Sequence, residues 1–168
     1  MKASILAIGG ISRSGKSTLA HQLAKELASL ALDAMVISQD DYCLPAELLP
    51  KVKGVPDWEV PASMDWDRYH EAVFQAKQTH DWIIVEGLFV FDDHQLNTQY
   101  DHQIVLEISY EVFMKRRNVE QRWGIEPAWY IQYVWDAYQL RNPHPKTSWK
   151  FSGADTIDVR HILHKLDI

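Results

Sequence analysis

Gly10-Ile11-Ser12-Arg13-Ser14-Gly15-Lys16-Ser17 is the stretch on which the reading of this chain turns. It has the spacing G-x4-G-K-[ST]. The apolar run Ile5–Ile8 leads into it, and a segment of helical period leads out of it. That strand, loop and helix context is what gives the motif meaning. Glycines let backbone N–H groups turn inward toward phosphate oxygens, and the following helix N-terminus adds positive potential. Gly10, Ile11, Ser12, Arg13, Ser14, Gly15, Lys16, Ser17 and Thr18 are therefore expected to hold the phosphates of a nucleotide. Lys16 would bridge the β- and γ-phosphates, and Ser17 would turn its hydroxyl to Mg²⁺. The bland alternative is a glycine-rich turn that merely ends at a helix cap. The flanking strand and helix argue against it.

Working outward, Leu19, Leu23, Leu27 and Leu30 with Ala20, Ala24, Ala28 and Ala31 form one broad apolar helix face. Three more short apolar runs follow, at Met35–Ile37, Ile83–Val85 and Ile104–Leu106. All four runs are continuous rather than alternating, which suits strands buried on both faces of a parallel sheet. A weaker run near Ser148–Phe151 is the candidate fifth strand. Helical segments lie between: one capped by Asp65, one by Ser109, one with Pro127 in its first turn and Asn142-Pro143 at its end, and a last one capped by Asp155. Strands alternating with helices predict an α/β doubly wound domain with a mainly parallel five-stranded sheet flanked by helices. Residues 1–168 read as one domain. Two stretches break the pattern: a proline-rich excursion at about 43–63, and a short lid at about 116–128. Both are expected above the sheet, where binding residues concentrate.

Composition narrows the classes. The chain has 168 residues, one cysteine and a formal net charge of −6. A single cysteine excludes an internal disulfide, and the acidic balance argues against a nucleic-acid coat. No apolar run reaches membrane-spanning length, and the N-terminal run, interrupted by Gly9-Gly10, reads as a strand rather than a signal peptide. The expected setting is the cytoplasm, with a small-molecule partner, no nucleic acid and no membrane. The oligomeric state is not legible. The eight histidines show no metal spacing.

Acids stand where two strands end. Asp40-Asp41 follows the second run and Glu86 the third. In a doubly wound sheet, ligands sit beyond the carboxyl ends of the strands. Beside a phosphate loop, such carboxylates suit a proton acceptor and a Mg²⁺ ligand, so Asp40 and Glu86 are candidates for catalysis and, with Ser17, for the metal. Lys115-Arg116-Arg117 and Arg122 could simply oppose a helix dipole. Next to a phosphate loop they also fit a lid that brings Arg to the transferring group.

Ile37-Ser38-Gln39-Asp40-Asp41-Tyr42, Ile83-Ile84-Val85-Glu86-Gly87 and Ser109-Tyr110-Glu111 with Lys115-Arg116-Arg117 resemble the nicotinamide riboside kinase and uridine kinase group of phosphate-loop kinases. The resemblance runs from Ala3 to about Leu140, and more weakly to the end. It implies ATP and Mg²⁺ as donor and cofactor, and a ribonucleoside as acceptor. It implies Asp40 as general base and Glu86 as an acid near Mg²⁺, with Asp41 beside the acceptor. It implies Glu59 as a ligand of ribose hydroxyls, standing where the family usually has Asp. It also implies Trp58 as a stacking face for the base, Arg117 as a sugar contact, Trp123 as a second aromatic wall, and Arg116 and Arg122 as lid arginines.

The activity so implied is transfer of the γ-phosphoryl of ATP to the 5′-hydroxyl of a ribonucleoside, with nicotinamide riboside favoured. Uridine or cytidine is the neighbouring alternative. A nucleotide-dependent switch or assembly ATPase without a small acceptor is the alternative of another class. The tryptophans at 82, 129 and 135 are expected to pack rather than bind.

Overall fold

The computed structural model describes residues 3–119, 126–141 and 144–168. Five strands form one sheet: β1 (Ser4–Gly10), β2 (Ala34–Ser38), β5 (Trp82–Gly87), β6 (His102–Glu107) and β7 (Trp149–Ser152), in the order β2-β5-β1-β6-β7. Every neighbouring pair is parallel. The predicted class is therefore borne out, and the weak run near 149 is the fifth strand. A separate two-stranded hairpin, β3 (Lys51–Val52) with β4 (Val55–Pro56), sits inside the proline-rich excursion.

Continuous apolar runs follow from burial on both faces. In β1, Ile5 and Ala7 enter a cluster with Val85, Val105 and the helix α2 (Trp66–Thr79) residues Tyr69 and Val73. Leu6 and Ile8 enter the opposite layer, with Leu19, Leu23 and Leu27 of α1 (Lys16–Ser29) and Ile162 of α6 (Val159–Lys165). β2 is a sheet edge, so its Met35 is exposed, unlike the central runs. Between β5 and β6 lies the short α3 (His94–Asn97). A third cluster joins Ile11 and Phe113 of α4 (Tyr110–Val119) to Tyr130, Ile131, Val134 and Tyr138 of α5 (Ala128–Arg141).

The caps largely follow the sequence. Asp65 accepts from the Arg68 N–H, and Ser109 Oγ accepts from the Val112 N–H. One cap differs: α6 is capped by Asp158, which accepts from the Arg160 N–H, not by Asp155. Ile157 packs against the α1 layer, so the helix begins only after it. Among the described residues no helix is long and apolar enough to cross a membrane.

Candidate active site

The chain leaves β1 at its carboxyl end, between the strand pairs that flank it, and this is where a doubly wound sheet binds ligands. The loop tightens at once: the Ser14 N–H donates to the Ile11 carbonyl, and Gly15 enters α1 at φ +98°, a conformation that favours glycine. Ser14 is fully buried, and Gly153, just past β7, presses on it. A Cβ at Gly153 would lie 2.2 Å from the Ser14 carbonyl oxygen. The loop is thus braced from the far side of the sheet.

The sheet register sets the chemistry beside the loop. Ser38 at the end of β2 pairs with Glu86 in β5. Glu86 Oε1 consequently accepts from Ser38 Oγ (2.6 Å), and from Ser17 Oγ at the start of α1 (2.9 Å). Glu86 is buried, not solvated. Lys16 Nζ donates to the Ile11 carbonyl of its own loop (3.2 Å). Burial lowers the Lys16 pKa, while Glu86, Asp40 and Glu59 oppose that shift. Those three carboxylates therefore share its field. Asp40 and Asp41 lie exposed in a 3₁₀ turn (Gln39–Tyr42) directly after β2. The preceding Gln39 is buried and accepts from the Phe89 N–H, which fixes the turn to the exit of β5.

The basic cluster divides in two. Arg116 donates to the carbonyls of Arg13 (2.9 Å) and Ala154 (3.4 Å), at the outer rim of the phosphate loop. Arg117 is buried; it donates to Ser12 Oγ (2.7 Å) and holds Glu126 with two hydrogen bonds (2.6 and 2.7 Å). Glu126 had no sequence signal, because the pair joins residues on either side of the connection between α4 and α5. Arg122 and Trp123 lie outside the described residues.

The excursion brings Glu59 inside and leaves Trp58 on the surface, 39% exposed. Glu59 is buried, and its Oε2 has no hydrogen-bond partner among the described residues. Burial pushes its carboxyl up to about 7, although Arg117 and Arg141 pull it down. Arg141, at the end of α5, donates to the carbonyls of Glu59 (3.3 Å) and Leu88 (3.1 Å), pairs with Asp92 (3.1 Å) and stacks on Phe89. Sequence reasoning missed Arg141 and the neighbouring Asp57, both of which look like ordinary surface charges in isolation. Trp82 packs in the core, Trp135 packs on Phe113, and Trp129 meets Tyr130 and carries Lys53 on its face.

The site's elements are thus a braced phosphate loop, a hydroxyl–carboxylate pair beside it, an acidic turn at the strand ends and a buried carboxylate whose backbone carbonyl is held by Arg141. A Bacillus stearothermophilus structure named "Possible Uridine Kinase" superposes with TM-score 0.62 at 19% identity, over 90% of both chains. Shikimate kinase of Bacteroides thetaiotaomicron superposes with TM-score 0.65 at 15% identity, over 98% of this chain and 99% of that one. The fold is that of the phosphate-loop kinases. No family model matches the chain. In sequence it is 27% identical over 155 residues to nicotinamide riboside kinase 1 of Rattus norvegicus, covering 82% of this chain and 77% of that protein. The resemblance to the nicotinamide riboside kinase and uridine kinase group is borne out, in sequence toward the former and in fold toward the latter, and the chain is a phosphotransferase.

Proposed function

We propose that the chain transfers the γ-phosphoryl group of ATP to the 5′-hydroxyl of a ribonucleoside, and that nicotinamide riboside is its preferred acceptor. The observation that carries this reading is a buried Glu59 whose Oε2 has no partner among the described residues, in the same domain as a Glu86 that accepts from Ser17 of the phosphate loop. A nucleotide switch has no use for a buried acid at the end of an acceptor loop.

Phosphoryl transfer needs positioning and charge stabilisation more than covalent chemistry. The loop N–H groups and Lys16 hold the donor phosphates. Arg116, on the loop rim, adds positive charge where the transferring group becomes more dissociated. Asp40, open at the strand ends, accepts the proton of the acceptor hydroxyl. Glu59 receives sugar hydroxyls, with Arg117 beside it. Trp58 offers an exposed aromatic face, and a cationic pyridinium ring over tryptophan gains about 0.5–2 kcal/mol.

Mg²⁺ fits the donor set by its chemistry. The Ser17 hydroxyl and the Glu86 carboxylate stand together, and both are the oxygen donors a hard cation takes. Ser17, Glu86 and Asp40 would hold the ion, which neutralises donor phosphate charge when bound. The test is ADP release with ATP and Mg²⁺ against a panel of ribonucleosides. Release stimulated first by nicotinamide riboside is the expected result. Preference for uridine or cytidine moves the chain to the pyrimidine side, and indifference to every nucleoside refutes the reading.

A further inference from the structure

Asp57 precedes Glu59 by two residues and is equally hidden, 6% exposed against 7%. Both of its carboxylate oxygens are engaged. Oδ1 accepts from the backbone N–H of Glu59 (3.0 Å), and Oδ2 accepts from Tyr133 Oη (2.6 Å). Its own N–H donates to the Pro50 carbonyl (2.7 Å), at the foot of the β3–β4 hairpin. The side chain therefore joins the Glu59 backbone to the middle of α5, while the residue's own N–H ties it to the hairpin foot. Burying a carboxylate is costly unless hydrogen bonds offset it.

We infer that Asp57 is a positioning residue for the acceptor: braced between Tyr133 and the Glu59 amide, it fixes the place from which Glu59 takes the sugar hydroxyls and ties that place to α5. This inference rests on the acceptor reading of Glu59 given under Proposed function.

The charges around Glu59 give the bracket a signature that mere structural support lacks. Arg117 of α4, Arg141 of α5 and Lys16 of α1 favour the Glu59 carboxylate, whereas Asp57 on its own loop disfavours it. Tyr130 and Tyr133 of α5 and Cys43 at the start of the excursion stand in the same field. Burial has already pushed Glu59 up to about 7. Acceptor binding to the carboxylate form therefore improves as pH rises through that range. Removing the Asp57 charge lets Glu59 ionise more easily, so the improvement comes at lower pH.

The experiment compares the unmodified protein with Tyr133→Phe and Asp57→Asn. Initial rates are measured against nicotinamide riboside and against ATP from about pH 5.5 to 9. Tyr133→Phe is expected to raise the acceptor KM roughly tenfold, with kcat and the ATP KM within about twofold. Asp57→Asn is expected to move the acidic limb of acceptor kcat/KM to lower pH. An unmoved limb together with an unchanged acceptor KM overturns the inference. So does a parallel loss of ATP affinity and kcat, which marks general structural damage. If Asp57→Asn does not fold, Tyr133→Phe decides on the KM split alone. If the unmodified protein shows no ribonucleoside-dependent turnover, the acceptor reading falls and this inference falls with it. Normal turnover that is indifferent to both substitutions removes only the role of Asp57.

Discussion

Replacing Glu59 by Gln separates the stability cost of this buried acid from its use. Burial raises the Glu59 carboxyl from 4.5 to about 7, against the pull of Arg117 and Arg141. A carboxyl whose folded pKa is raised contributes stability that is fully present below the unfolded value. That stability is lost as pH rises through the folded value. The interval from 4.5 to about 7, at about 1.4 kcal/mol per pH unit, corresponds to about 3 kcal/mol lost by pH 8. Glutamine has nearly the same shape and no charge, so it does not incur this loss. Thermal unfolding of both proteins should be followed from about pH 4.5 to 8.5. The midpoints should nearly coincide at the acid end and diverge on the alkaline side, with Glu59→Gln higher by roughly 6–12 °C, using about 2–4 °C per kcal/mol for a domain of this size. The same variant should lose acceptor affinity. Parallel midpoint curves across the range would refute the reasoning, because the carboxylate would then cost nothing to ionise in place.

The remaining predictions concern the transfer step. Lys16→Ala should lower turnover by about 10²–10³-fold with the fold retained, since among the described residues its Nζ donates to the loop carbonyl of Ile11 and holds no apolar cluster together. Asp40→Asn should lower kcat by roughly 10²–10⁴-fold with little change in ATP affinity. If Asp41→Asn is instead the damaging change, the assignment within this exposed pair is reversed. Trp58→Ala should raise the nicotinamide riboside KM about tenfold with a smaller loss of stability than a core tryptophan would cost, because Trp58 is 39% exposed.

What the sequence made legible was local or periodic. Eight consecutive residues specify the phosphate loop, and β1 shows burial on both faces because its neighbours Leu6 and Ala7 enter opposite layers. Glu86 was legible as an acid at a strand end. Its partners were not: Ser17 lies 69 residues away and Ser38 48 residues away, and only the parallel register brings them together. Arg117 could be read as basic, but not as the partner of Glu126 and Ser12. The hairpin at 51–56 escaped notice because its strands are two residues each. Its turn residues, Lys53 and Gly54, both at positive φ, were the available sign. Asp155 and Asp158 offer the same capping chemistry, and only the burial of Ile157 chooses between them. Asp57 and Arg141 had no signature at all, since their contacts come from α5 meeting residues 57–59 of the proline-rich excursion.

The most direct test follows the phosphoryl group itself. The unmodified protein is incubated with ATP labelled at the γ-phosphorus, Mg²⁺ and nicotinamide riboside, and the products are separated and identified by mass. Label on the 5′-oxygen of the riboside, in amounts equal to the ADP formed, is the predicted result. Label appearing only as inorganic phosphate, at a rate the riboside does not change, would contradict the account and place the chain among nucleotide hydrolases without a small acceptor.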